Sequence, residues 1–335
     1  MSARRALFGL LALLVGCGLP PKREPVTVSD GRYAMGTVLE ITLVGREEGE
    51  TRAALVEMFA LAERLDALIT VYDPESELSR LNRAAGQGRR AVDPELARIL
   101  ALSKAYARLT RGSFDVTLGP LVELWAEAAR RRTPPSAAEL AEARERVGSE
   151  HVRIHTDGSA EIEKPGVSVN LDGLAKGYAL DRMLTLLEKR GIDNALLSFG
   201  QSSTWALGRP ADAPGWRLLA RGPDERLLGV LTLENQALSV SGSLGQWVEI
   251  GGRRYGHVLD PRTGEALQRR HQSLVAAPEA SLAEALSKAL LVLGKREGLA
   301  LVDAQEGCEA LLVDADGGTW FTPGWNAAVR FDPAG

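Results

Sequence analysis

Two cysteines in 335 residues, Cys17 and Cys308, give no disulfide framework. If Cys17 is consumed by lipidation, as argued below, Cys308 is left without a partner and the fold must rest on its core. Aromatic residues are few, 5% against 45% hydrophobic residues in total, and that composition suffices for one large domain or two lobes. Charge of one sign is not in excess: a formal net charge of -4 with no basic stripe excludes nucleic acid as a partner. No internal repeat and no low-complexity tract is present.

The apolar run from Ala6 to Val15 is too short to span a bilayer. About ten residues cover roughly 15 Å as a helix, half of a hydrocarbon core of roughly 30 Å. The run follows Arg4 and Arg5 and ends in Gly16-Cys17-Gly18, the pattern of a secretory signal. Leu14-Val15-Gly16-Cys17 resembles a bacterial lipobox, so residues 1–17 are expected to be a lipoprotein signal ending in a lipidated Cys17. An ordinary signal peptide cleaved nearby is the alternative, and Arg4-Arg5 fits a twin-arginine signal poorly. Residues 18–29, with Pro20, Pro21 and Pro25, read as a tether, and residues 30–335 as the folded domain. The protein is thus expected on the periplasmic side of a bacterial membrane.

Hydrophobic periodicity divides that domain into mixed elements. Arg32 to Val44 alternates as an opening strand, and Thr51 to Ile69 and Pro94 to Leu109 carry helical periods, the second with Asp93 as N-cap. A basic, Pro-containing break from Arg130 to Pro135 precedes a polar helix ending at Gly148, and Asp157-Gly158 turns a hairpin between His151–Ile154 and Glu161–Glu163. Val167 to Leu171 reads as a strand, Leu174 to Arg190 as a helix closed by Gly191, and Ala195 to Phe199 as a strand. Short strands are expected near Trp216–Ala220, Leu227–Leu233, Ala237–Val240, Gln246–Ile250 and Arg253–Val258, a helix over Ser281–Leu293, and a closing hairpin of Ala310–Val313 with Gly318–Phe321. Cys308 is expected as a small core residue at a strand start. Strands and helices without regular alternation point to an α+β fold.

Four phrases stand out: Val71-Tyr-Asp-Pro-Glu-Ser-Glu-Leu-Ser-Arg-Leu-Asn82, Gly112-Ser-Phe-Asp-Val-Thr-Leu-Gly-Pro120, Asn170-Leu-Asp-Gly-Leu-Ala-Lys-Gly-Tyr178 and His257-Val-Leu-Asp-Pro-Arg-Thr-Gly264. Together, and in this order, they resemble the FAD:protein FMN transferases, the ApbE family, from Met35-Gly-Thr37 to about Leu312. The resemblance implies an α+β ApbE-like fold with two lobes around a nucleotide cleft. It also implies movement of FMN from FAD to a Thr or Ser hydroxyl of a partner, with release of AMP. The partners would be membrane-associated redox proteins that carry covalent FMN.

By the same resemblance, Met35, Tyr72, Ser113, Phe114, Asp115, Asn170, Lys176 and Val258 fall on flavin- and nucleotide-lining positions, and His257 is a catalytic candidate. Tyr72 suits stacking on a flavin or adenine ring, with core packing as the equal alternative. Lys176, at a strand-to-helix turn, suits a phosphate, since a cation and backbone N–H groups both favour an anion. The family's magnesium ligands fall on Gly173 (a carbonyl), Glu284 and Lys288, and a protonated lysine offers no lone pair to a cation. Two readings of that helix compete: a solvated i,i+4 pair of Glu284 and Lys288 opposite an apolar face, or Lys288 standing where the metal would be and meeting the FAD phosphates itself. Gly200-Gln201-Ser202 and Ser241-Gly242-Ser243-Leu244 also replace acidic phrases of the family. A catalytically weak or inactive flavin-binding lipoprotein, or hydrolysis of FAD by water, therefore stands as the rival reading.

Overall fold

The structure is a computed structural model and describes residues 25–210 and 212–334. The signal, Cys17 and most of the tether lie outside the described residues.

In chain order the elements are β1 (Val26–Ala34), β2 (Thr37–Gly45), α1 (Glu48–Ile69), α2 (Glu77–Arg83), α3 (Pro94–Leu109), α4 (Gly119–Arg131) and α5 (Ala137–Arg144). A hairpin of β3 (Val152–Ile154) and β4 (Ala160–Ile162) leads to α6 (Ala175–Arg190), β5 (Asn194–Phe199), β6 (Ser203–Leu207), β7 (Trp216–Arg221), β8 (Leu227–Leu233) and β9 (Gln236–Gly242). Then follow β10 (Trp247–Ile250), β11 (Arg253–Gly256), β12 (His271–Ala277), α7 (Ala280–Asp303), β13 (Glu309–Asp314), β14 (Thr319–Phe321), α8 (Trp325–Val329) and β15 (Asp332–Pro333).

One eight-stranded sheet, in the order β1-β2-β5-β6-β9-β12-β13-β14, organises the molecule, and its pairings are antiparallel. Because side chains alternate across a strand, each strand feeds two cores. Leu39, Ile41, Leu43, Leu197, Phe199 and Trp205 point to the layer of α1 and α6. Val275, Ala277, Ala310 and Leu312 meet Leu286, Leu290 and Val302 of α7 on the same side. Leu238, Leu274, Ala276, Leu311 and Val313 point the other way, onto the β15-β8-β7 sheet and Trp325 of α8. A separate apolar cluster joins α4 and α5 to β10–β11 through Leu121, Trp125, Ala143, Ile250 and Tyr255. The α+β expectation holds, built on antiparallel pairing.

The expected Asp93 cap and Gly191 stop are both used, and a capping box that was not expected joins them. The Asp93 carboxylate accepts the Glu95 N–H at 2.8 Å, Ser136 and Glu139 form a reciprocal capping box, and Gly191 closes α6 with a left-handed φ of 64°. Cys308 is buried beside β13.

Three expectations need correction. The expected opening strand is two strands, β1 and β2, turned at Met35-Gly36, where both residues have positive φ (49° and 77°). Such a two-residue turn matches the twist of its strands, and methionine at its first position hides it in the sequence. The stretch from Val167 to Leu171 joins no sheet; the Asn82 side-chain amide donates to the Val169 carbonyl and accepts its N–H, both at 2.8 Å, doing the work of a neighbouring strand. The helix begun near Ser281 runs to Asp303 across a break at Gly294, whose φ of 75° and ψ of -174° are not helical. In addition, β6, β12, α2 and α8 carry too little periodic signal to be read, whereas α4, absent from the expected elements, has a clear helical period in Leu121, Leu124, Trp125 and Ala128. β12 is covered on both faces, so its sequence Ser273-Leu-Val-Ala-Ala277 has no alternation to show.

Candidate functional site

The loop Asn170–Leu174 and the first turn of α6 form the centre of the site. Asn170 accepts the Asp172 N–H through its side-chain oxygen at 2.8 Å and gives its own N–H to the Val116 carbonyl at 2.7 Å, so its amide shapes the loop. Asp172, which the sequence reading passed over, accepts a hydrogen bond from the Tyr72 hydroxyl at 3.0 Å. Tyr72 is 81% exposed, which rules out core packing and leaves a free aromatic face beside the loop. The Asp172 charge, then partial burial and the hydrogen bond, push its phenol pKa up.

Glycines bring the elements close. A Cβ on Gly177 would meet the Ala280 carbonyl oxygen at 2.5 Å, so only glycine lets α6 cross the start of α7 at this distance. A Cβ on Gly173 would stand 3.7 Å from the Phe114 ring and 3.8 Å from Cε of Lys288. Gly173, Phe114 and Lys288 thus converge at the start of α6, where Lys176 occupies the first turn. On the other side, Gly200 abuts Thr37, two residues beyond the Met35 turn, and Ser203 reaches Glu284 on α7. Met35 itself is pinned by its N–H to Asp66 at 3.1 Å.

The solvated-pair reading of α7 fails. Glu284 is 1% exposed because α7 is wedged between the sheet and α6. One Glu284 oxygen accepts from Ser203, the other has no hydrogen-bond partner, and no ion pair joins Glu284 to Lys288. Beneath them lies a layer of hydroxyls, Ser287 meeting Ser239 at 3.0 Å and Ser241 at 2.9 Å. Burial pushes the Lys288 pKa down; Glu284 opposes this and Lys176 adds to it.

A resident divalent metal does not fit these residues. Among the described residues no group of three or more His, Cys, Asp or Glu side chains is arranged to hold one. At the expected ligand positions there are one carbonyl, one carboxylate already bonded to Ser203, and an amine whose protonated form repels a cation.

His257 follows β11 directly. Its side chain reaches solvent, its Nδ1 lies 3.1 Å from the Gln246 carbonyl and 3.3 Å from the Gln246 nitrogen, and its Cε1 borders Gly245. Loss of surrounding water pushes its pKa down; the Gln246 hydrogen bond opposes this, while the Lys288 and Lys176 charges add to it.

Other candidates serve the framework. Ser113 is buried and donates to the Thr110 carbonyl at 2.6 Å; Asp115 accepts from Thr117 N–H and hydroxyl at 2.8 and 2.6 Å and from Ser149 N–H at 2.9 Å. Their side chains hold the loop that presents Phe114. The Val258 side chain is packed beside α7, and its carbonyl accepts Leu267 N–H at 2.9 Å. Ser243 hydrogen-bonds the backbone of Arg269 and His271, so at this altered position a hydroxyl closes a loop. Two open concavities, of about 250 and 600 Å³, lie away from these residues, one beside Arg64 and Glu77 and the other between α3 and the β3–β4 hairpin.

Comparison with known proteins gives a consistent result. A family profile described as the ApbE family matches residues 35–312. An FAD:protein FMN transferase of Klebsiella pneumoniae is 30% identical, over 96% of this chain and 95% of its own, and one of Escherichia coli K12 is 27% identical with the same shares. The solved flavin transferase ApbE from Vibrio cholerae superposes with a TM-score of 0.80 at 27% identity, covering 91% of this chain and 99% of its own.

Proposed function

The chain belongs to the ApbE family, and on that premise we propose that it is an FAD:protein FMN transferase, moving FMN from FAD to a Thr or Ser hydroxyl of a partner protein. The observation that carries this reading is the convergence of Gly173, Phe114 and Lys288 at the start of α6, where Lys176 occupies the first turn, with the free ring of Tyr72 across Asp172. An aromatic face suits a flavin or adenine, and two amines suit a pyrophosphate.

The chemistry follows from these groups. The acceptor oxygen attacks the phosphorus of the FMN half; an O–P ester bond forms, the P–O bond to the AMP half breaks, and its electron pair leaves on AMP. The depressed pKa of His257 keeps its imidazole neutral near pH 7. In the tautomer whose Nδ1–H donates to the Gln246 carbonyl, Nε2 carries the free lone pair that takes the hydroxyl proton; the transfer requires that tautomer over the one in which Nδ1 accepts the Gln246 N–H. The negative pyrophosphate favours the protonated form of Lys288, offsetting the burial that depresses it. Lys288 and Lys176 then hold the phosphate charge, and positioning with electrostatics supplies most of the rate. Lys288 thereby takes over the charge role that magnesium has by family resemblance.

The same proposal places the protein outside the cytoplasm, anchored through a lipid on Cys17 and serving membrane-associated redox subunits. The lipobox-like residues Leu14–Cys17 support it, and among the described residues no helix is long and apolar enough to cross a membrane. The test is to incubate the processed chain with FAD and an acceptor protein, with and without magnesium, and weigh the acceptor by mass spectrometry. A gain of one FMN less one water, the mass of the esterified group, is expected without magnesium. An unmodified acceptor alongside FMN and AMP in solution points instead to hydrolysis by water.

A further inference from the structure

We propose that the outer face of the β10–β11 hairpin, with the adjoining Arg269-Arg270, is the docking surface for the acceptor, and that it takes an acidic polypeptide segment. This rests on the reading of the site as a flavin transferase.

The hairpin is held on one side only. Its inner face buries Ile250 and Tyr255, the Tyr255 ring 5.0 Å from Trp125, whose indole N–H is fixed on the Gly264 carbonyl at 2.9 Å. Its outer face keeps Trp247 43% exposed, with the Arg254 guanidinium 4.1 Å from the ring centroid. The register puts both on that face, since Trp247 pairs with Gly256, two residues from Arg254. A stacked, solvent-facing Trp–Arg pair is a preformed platform of the two residue types that dominate interface energies.

Charge supplies the partner's chemistry. On the outer face Arg254 lies across from the exposed Glu249, and Arg269 and Arg270 are exposed on the adjoining segment; among the described residues none of these three arginines forms an ion pair with a carboxylate, so the surface keeps an excess of positive charge. The chain as a whole is net negative, so this concentration of unpaired cations runs against its overall balance. The segment is tied to the hairpin root, because Gly256 N–H donates to Leu267 and Ser243 donates to the Arg269 carbonyl.

Position links the surface to the chemistry. Gln246, immediately before Trp247, holds the ring of His257, immediately after Gly256. A polypeptide lying on the hairpin can bring a hydroxyl to His257. A bilayer laid on the same face would cover His257 and bar the acceptor, so an acidic protein segment fits better than anionic lipid.

The test uses the processed chain with FAD and a fluorescent peptide rich in Asp and Glu around one Thr, beside its Asn/Gln counterpart. Anisotropy reads docking, and FMN gained by the peptide reads chemistry. The acidic peptide should bind preferentially and lose affinity as salt rises. Arg254→Glu and Arg270→Glu, on separate segments, should each weaken it about tenfold or more, leave FAD binding unchanged, and raise the acceptor KM while kcat is kept. Equal binding of the two peptides, or unchanged binding in both variants, overturns the proposal. So does binding to phosphatidylserine vesicles that both variants abolish while peptide binding persists. Intact peptide binding with no FMN transferred to any acceptor overturns the transferase reading instead.

Discussion

At the scale of single residues, burial separates functional side chains from framework ones in a way that motif matching cannot. Ser113-Phe114-Asp115 reads as one ligand-binding unit, yet the hydroxyl and the carboxylate are spent on Thr110, Thr117 and Ser149. Tyr72 lies at the opposite extreme. Its ring is free, so Tyr72→Ala should leave the melting temperature nearly unchanged while weakening FAD binding by about 1–3 kcal/mol, the range for a base stacked on an aromatic ring. Calorimetry checks both halves, and unchanged FAD affinity would show that the ring only hydrogen-bonds Asp172. Lys288 makes a sharper case. Lys288→Thr removes an amine one helical turn from Glu284, one of whose oxygens has no hydrogen-bond partner, so magnesium affinity should rise from weak to measurable. Glu284→Asp in the same chain should change it non-additively, because the two side chains sit one turn apart. Tight magnesium binding in the wild type, unaltered by Lys288→Thr, would sink the idea that the amine replaces the ion.

At the scale of elements, α7 depends on a cap that comes from another helix. Asp181 of α6 accepts Ala280 N–H at 2.7 Å, Ser281 N–H at 3.0 Å and the Ser281 hydroxyl at 2.5 Å, satisfying the first turn of α7. Burial nevertheless pushes its pKa up to about 6, outweighing those hydrogen bonds. A raised folded-state pKa means that the folded protein prefers the protonated carboxyl. The contribution is therefore full below about pH 4 and is lost as pH rises through 6. Over that window the stability of the wild type relative to Asp181→Asn should fall by roughly 3 kcal/mol, a little over two pKa steps at 1.36 kcal/mol each. Chemical denaturation at several pH values measures it, and a flat difference would show that the hydrogen bonds cancel the burial. Elements were legible where a local signal marks them: the Asp93 cap, the Gly191 stop and the Asp157-Gly158 turn. They were illegible where distant residues do the work, as with Asn82 standing in for a strand beside Val169, or Asp181 capping a helix 99 residues away. The same holds in the site: Lys176, Asp172 and His257 all stand in phrases, but the bond of Asp172 to Tyr72 and the reach of Ser203 to Glu284 exist only through contacts that the fold creates.

At the scale of the whole molecule, the sheet carries helices on one face and the small sheet with α8 on the other, while the α4–α5–hairpin cluster stands apart. The site gathers residues from α6, α7, the loop before α6 and the end of β11, which explains why phrases scattered from Met35 to Gly264 belong together. β1, the first described strand, is an edge strand and begins at Val26. A lipid on Cys17 would therefore hold the molecule by the edge of its sheet through a short Pro-containing tether, leaving the opposite layers free to meet a partner. That arrangement makes the anchor a matter of location and not of fold. Mature protein should begin at Cys17 and sediment with membranes, and Cys17→Ser should either release a folded, FAD-binding protein or leave the signal uncleaved. N-terminal mass analysis of the membrane and soluble fractions decides it. A wild-type protein recovered soluble outside the cytoplasm with an unmodified Cys17 thiol would rule out the anchor while leaving the site chemistry as proposed.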